Sequence, residues 1–197
     1  MHKGNTMTVR TSTVALPAWR SLATTLLLTT AGTLLLALLA QVKLPLPFTP
    51  VPFTGSVLGV LLLGGLLGPR LAAAAVLEYL LLGMTGLPFF AAGTGFSIFA
   101  GFTGGYLLAF APAAALYGIM YARFAERDYP VRLTGAVAAG LAATLVIYLG
   151  GWAWLVGVLH YTPGAALAAG VTPFIPLDAG KVVLAAAAVA LWPRKAS

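Results

Sequence analysis

The run LATTLLLTTAGTLLLALLA at residues 22–40 carries no charge, and it runs directly into QVKLPLPFTPVPF at residues 41–53. About 20 apolar residues at 1.5 Å each are enough to cross the ~30 Å hydrocarbon core of a bilayer. The second stretch holds Pro45, Pro47, Pro50 and Pro52 within eight residues. Each proline removes a backbone donor and clashes with the preceding turn, so no helix continues there. A membrane span followed by a stiff, aromatic-bearing loop is the unit from which the rest of the chain is read.

Outward from that unit, residues 54–67 and 71–83 predict two short spans, marginal in length, separated by the helix stop and restart Gly68-Pro69-Arg70. A Gly-rich connection at residues 86–95 leads to a fourth span near 98–121, and a fifth follows near 133–156. A loop at residues 161–172 precedes a sixth span over 173–192. Composition agrees: 60% of the 197 residues are hydrophobic and 8% are charged, whereas soluble domains carry about 25% charge. The expected architecture is an all-α integral membrane protein, a compact bundle of six transmembrane helices. A polar, basic segment at 1–20 precedes the membrane domain at 21–193, and a short tail occupies 194–197. Residues 1–20 lack a short apolar core with a small-residue cleavage site, so no removed signal peptide is expected.

Lys and Arg set the orientation, because positive loops stay cytoplasmic. With the N-terminus inside, Lys3, Arg10, Arg20, Arg70, Arg123, Arg127, Arg132, Arg194 and Lys195 all fall inside, and only Lys43 falls in an outer loop. Both termini are therefore expected in the cytoplasm. The Pro-rich loop and the loops at 86–95 and 161–172 should share the outer face, where a binding site built from them would open. The net charge of +7 is spread over segment ends instead of one aromatic-bearing face, which argues against a nucleic-acid partner and for the lipid bilayer.

Small residues four apart at Gly55/Gly59, Gly64/Gly68, Gly101/Gly105 and Ala111/Ala115 predict close helix packing, chiefly within the chain. Ionisable groups inside spans are more informative, since a mid-membrane charge costs roughly 2.5–3.5 kcal/mol on insertion scales. Glu78, Asp178 and Lys181 are such groups. Asp178 and Lys181, three apart, share one helix face in the outer half of the last span, after Pro173 and Pro176. They either neutralise each other or share a ligand. The second reading is favoured, because a buried ion pair seldom stabilises more than packed apolar residues would. Three roles are open to Glu78: a protonated acid, a bond to a neighbouring helix, or a part in transport.

Trp152 and Trp154 near the outer face, and Trp19 and Trp192 near the inner face, fit an interfacial belt, with ligand stacking the alternative for Trp152. His2 and His160 are isolated, so no metal site is expected. Without cysteine there is no thiol chemistry. Gly180-Lys181 has the ending of a phosphate-binding loop, but Ile175 stands where its first glycine belongs and Val182 where its Ser or Thr belongs. Ser97 has no His or Asp nearby in sequence, and Glu126 with Asp128 beside three arginines reads as a solvated turn. The chain is not expected to be an enzyme.

Five stretches in order, PLPFTPVPFT from Pro45, LLGPR from Leu66, GLPFF from Gly86, TGGYL from Thr103 and PFIPLDAGK from Pro173, resemble the successive signatures of the BioY family. The similarity runs over residues 22–194. The resemblance implies a substrate-binding (S) component of an energy-coupling factor (ECF) transporter in a bacterial cytoplasmic (inner) membrane. It would capture biotin from outside and work with a transmembrane coupling (T) component and two cytoplasmic ATPase subunits. No cofactor is implied, ATP being used by the partner subunits alone.

The family's Asp-x-x-Lys falls on Asp178 and Lys181, and its Gly-Gly-Tyr on Gly104, Gly105 and Tyr106. A ureido group offers two N–H donors and one carbonyl acceptor, which a carboxylate and an ammonium three apart can serve from opposite sides; which end of biotin meets them is open at this point. Phe48 and Phe53 are expected to cover the apolar part of the ligand as a lid, and Thr103 and Thr94 to supply neutral hydrogen bonds. The chain departs from the family at Phe102, usually proline, and at Glu78, usually apolar or aromatic. A strict Ala-x-x-x-Ala on the first helix, expected for docking the T component, is missing: Ala37 and Ala40 are three apart, and Thr29 and Thr33 are the nearest four-spaced pair. The alternatives are a self-sufficient secondary transporter relaying ions through Glu78, or an S component for a different vitamin.

Overall fold

The computed structural model describes residues 22–192. Lys3, Arg10, Trp19, Arg20, Arg194 and Lys195, with the terminal segments at 1–20 and 194–197, lie outside the described residues. Helices α1 (Leu22–Gln41), α2 (Ser56–Leu67), α3 (Pro69–Met84), α4 (Gly104–Ala122), α5 (Tyr129–Gly157), α6 (Pro163–Gly170) and α7 (Ile175–Leu191) account for most of the chain. By length and hydropathy, four segments suffice to cross a membrane: α1, α4, α5 and the run Pro163–Leu191. At 12 and 16 residues, α2 and α3 are shorter, in line with their marginal lengths in the sequence.

Two boundaries differ from expectation. The fourth span starts at Gly104, not near 98, because Phe96–Ala100 forms a separate 3-10 turn that ends at Gly101 in extended backbone. The expected loop at 161–172 instead contains α6. Thr162 caps it by accepting from the Ala165 N–H (3.3 Å), and Pro163 supplies a first residue whose missing donor costs nothing there. Residues 41–54 fold as a loop, as the prolines require, but its ends zip into a two-residue ladder of β1 (Lys43–Leu44) and β2 (Phe53–Thr54), pairing Lys43 with Thr54.

Glycine sets how closely the helices approach. A Cβ at Gly105 would fall on Trp154 and the Gly150 carbonyl, and one at Gly150 would meet Ala109 Cβ at 2.6 Å, so α4 and α5 touch through bare backbone. Gly55 and Gly59 face Leu39 and Leu36 of α1, while Gly64 faces Ala114 and Tyr117 of α4. Ala111 and Ala115 are half-buried, Ala111 packing against the core, while the buried alanines of α4 are Ala109, Ala113 and Ala114. Gly118 rests on Pro69, which brings the α2–α3 turn to the last turn of α4. Arg70 therefore lies at the same end of the bundle as the α4–α5 turn with Arg123, Arg127 and Arg132. Lys43 lies at the other end.

Thr33, fully buried, donates to the Ala75 carbonyl (2.8 Å) and ties α1 to α3. Thr29 is also buried and bonds within its own helix to Thr25 and Leu26. This four-spaced pair is thus consumed by packing inside the chain. Thr33→Val keeps the shape and removes the donor, so thermal unfolding in detergent should show a loss of about 0.5–1 kcal/mol, the usual value of an interhelical hydrogen bond in a membrane.

Candidate functional site

At the Lys43 end of the bundle, a cavity is walled by the end of the Pro-rich loop (Val51 to Thr54), Ser56 and Val57 of α2, Tyr79 of α3 and Phe90 to Ala92 of the next loop. Thr103, Tyr106, Leu107 and Phe110 close it from α4, Ile147 and Tyr148 from α5, and Phe174, Asp178 and Lys181 from the start of α7. It spans about 610 Å3 with its open mouth. Aromatic side chains, Phe53, Tyr79, Phe90 and Tyr148 among them, narrow it. Tyr79, Phe90 and Phe99 pack edge to face in series (centroids 5.3 and 5.8 Å), bracing one wall.

The chemistry lies on the first two turns of α7. Lys181 Nζ donates to Asp178 Oδ1 at 2.6 Å, with both side chains buried. The same ammonium donates to the Thr54 carbonyl (2.6 Å) and sits 3.7 Å from the centre of the Phe53 ring. The other carboxylate oxygen, Asp178 Oδ2, accepts from the Tyr148 hydroxyl at 2.8 Å. Asp178, three residues into α7, also lies where a helix N-terminus favours negative charge. The cluster is neutral in sum and offers a ligand a carboxylate, an ammonium and a phenol within one buried patch. Nothing in it activates a nucleophile or pairs two acids across a scissile bond; its chemistry is recognition.

Of the residues singled out from sequence, Asp178, Lys181, Tyr106, Thr103 and Phe53 all line the cavity. Tyr106 lies against Gly151 of α5 and donates to the Gly170 carbonyl at 2.7 Å, so it also fixes α6. Phe48 and Thr94 are not part of the wall: both are exposed, on the two loops beside the mouth. The pyrrolidine-stiffened turn at residues 45–50 carries Phe48 outward, and it is Thr49 that ties this loop down, donating to the Ala169 carbonyl of α6 at 2.5 Å. Glu78 lies away from the cavity and accepts from Thr30 of α1 (2.9 Å), the bond to a neighbouring helix being one of its three open roles. Trp152 is outside the wall too and donates to the Pro163 carbonyl at 3.2 Å.

Sequence reading missed Tyr148, the Thr54 carbonyl and the wall residues Tyr79, Phe90, Phe110, Ile147 and Phe174. Nothing marks Tyr148 in a span of apolar residues; only the α5–α7 contact brings it to Asp178. Tyr148→Phe leaves the ring in place and removes one bond to the carboxylate. Thermal unfolding in detergent should show a loss of about 1.5–3 kcal/mol, the size of a hydrogen bond to a charged group, and ligand affinity measured by calorimetry should fall with it, because the carboxylate is no longer held in place.

The BioY family model matches residues 7–197. The probable biotin transporter BioY of Pyrococcus horikoshii is 38% identical over 74% of this chain and 80% of its own length. The biotin transporter BioY of Rhodobacter capsulatus is 36% identical over 76% of this chain and 86% of its own, and that of Thermotoga maritima 34% identical over 72% and 80%. Among solved structures, the S-component for biotin from an ECF-type ABC transporter, a crystal structure at 2.1 Å, superposes with a TM-score of 0.75. It is 26% identical and covers 86% of this chain and 90% of that one.

Proposed function

The chain belongs to the BioY family, and from that premise we propose that its cavity is the biotin site of a biotin transporter, the S component of an ECF-type system and not an enzyme. The observation that carries the reading is the buried Asp178–Lys181 pair facing the cavity and held from α5 and β2. A pair needed only for stability would be cheaper as apolar residues. A ureido ring needs both an acceptor and donors at one place.

In this reading Asp178, Lys181 and Tyr148 hold polar atoms of biotin, Thr103 and Tyr106 line the approach, and Phe53 covers the ring system. Phe48 and Thr94 belong to the loops that close over the ligand. The six longer helices cross the membrane, with the arginine-bearing end in the cytoplasm and the cavity facing out, in the cytoplasmic membrane of a bacterium. A T component and two ATPase subunits supply the coupling, and the membrane domain at 21–193 is the part that binds.

Calorimetry on the detergent-purified protein tests the ligand, with thiamine and riboflavin as competitors. Tight binding of biotin alone is expected; a folded protein indifferent to biotin would overturn the assignment. Uptake in cells with and without the T component and ATPases tests the coupling, and undiminished uptake in their absence would favour a self-sufficient transporter.

A further inference from the structure

We propose that Lys43 anchors the valerate carboxylate of biotin at the cavity mouth, while the ureido ring lies deep against Asp178, Lys181 and Tyr148. This rests on the reading of the cavity as the biotin site and adds its polarity. The argument begins with charge. The deep cluster contains one ammonium, and it is already committed to Asp178 Oδ1, the Thr54 carbonyl and the Phe53 ring. A second carboxylate placed there would leave two anions to one cation in a poorly hydrated site, which the like-charge repulsion opposes. A neutral ureido group brings no net charge and matches the donors and acceptors present. The carboxylate end of the ligand must then lie toward the mouth.

Lys43 is the cation found there. Its Nζ donates to the carbonyl of Ala91, a residue of the cavity wall, at 3.0 Å, and its backbone pairs across the ladder with Thr54, another wall residue. The side chain is exposed and keeps further N–H donors beyond the one used on Ala91. Much of the cavity wall is apolar, Val51, Phe90 and Ile147 among its side chains, as a chain of methylenes requires. Among the described residues, Arg70, Arg123, Arg127 and Arg132 sit at the opposite end of the bundle. Gln41 reaches the same loop as Lys43, donating to the Pro88 and Phe89 carbonyls (2.9 and 3.2 Å). The loop is therefore held without Lys43, and its lysine has a charge to spare for a ligand.

The test compares biotin with biotin methyl ester, which keeps the ring and removes the negative charge, by calorimetry on the full chain. The parent protein should prefer biotin by roughly five- to tenfold, the range of one charge-assisted hydrogen bond at a partly hydrated site. Lys43→Gln should abolish that preference by weakening biotin alone, and Lys43→Arg should retain it. An unchanged preference in Lys43→Gln overturns the proposal, and so does an equal loss for both ligands, which would make Lys43 a loop staple only. A folded parent protein that binds neither ligand would instead overturn the biotin reading on which the proposal stands.

Discussion

Asp178→Asn and Lys181→Ala each lose biotin binding by at least roughly a hundredfold, because each strips the ligand of one charged partner and leaves the other buried without its counter-ion. Removing one member of a buried pair costs about 3–5 kcal/mol, so both variants should also unfold earlier in detergent. That loss alone would not separate a ligand role from a structural one. The double replacement Asp178→Asn with Lys181→Met does, since it removes both charges together. Thermal stability should return close to that of the parent protein, as neutral substitutes for buried ion pairs commonly allow, while biotin binding stays lost. Restored stability with restored binding would mean that the pair only holds α7 against Thr54 and Tyr148, and the site would have to be sought elsewhere on the wall.

Gly105→Val should be strongly damaging, although it touches no charged group. A Cβ there meets Trp154 and the Gly150 carbonyl, atoms that belong to the core of the α4–α5 contact and have no room to retreat. Overpacking of this kind costs about 1–3 kcal/mol or more. The shift would carry Tyr106, the next residue, off Gly151 and off its bond to Gly170. A large drop in the unfolding temperature together with weakened biotin binding is expected. Gly180→Ala is the control. It is exposed on α7 with nothing within 4 Å of a new Cβ, so helix propensity alone should act and leave stability equal or slightly higher. An unfolding temperature for Gly105→Val equal to the parent's would show that α4 and α5 can separate without loss, contrary to this account.

Much of the fold was open to reading along the chain because its causes are local. Apolar runs of membrane-spanning length, the prolines at 45–52 and the stop at Gly68-Pro69 act on the residues around them, whatever the rest does. The boundaries that shifted lie where a short segment is stabilised by what it packs on. The eight residues of α6 are too few to hold a helix by themselves; the Thr162 cap and the contact of Gly170 with Tyr106 hold it. In the same way, the 3-10 turn before α4 owes its place to Phe99, buried against Phe90.

The site divides along the same line. That Asp178 and Lys181 share a face follows from helical periodicity alone, and the arginine-rich and arginine-poor ends follow from counting charges between spans. Which side chains come to meet that face does not. Tyr148 is thirty residues from Asp178 and the Thr54 carbonyl 127 from Lys181, and the withdrawal of Phe48 and Thr94 from the wall depends on how two loops lie over the bundle. Such pairings are decided by how closely the glycine-lined helices approach and by their rotation about their own axes, quantities that depend on all the packed neighbours at once. The sequence by itself thus determined the all-α membrane class, the charged pair and the family. Only the tertiary structure decided what surrounds that pair, because contact across helices is a property of packing and not of any one segment.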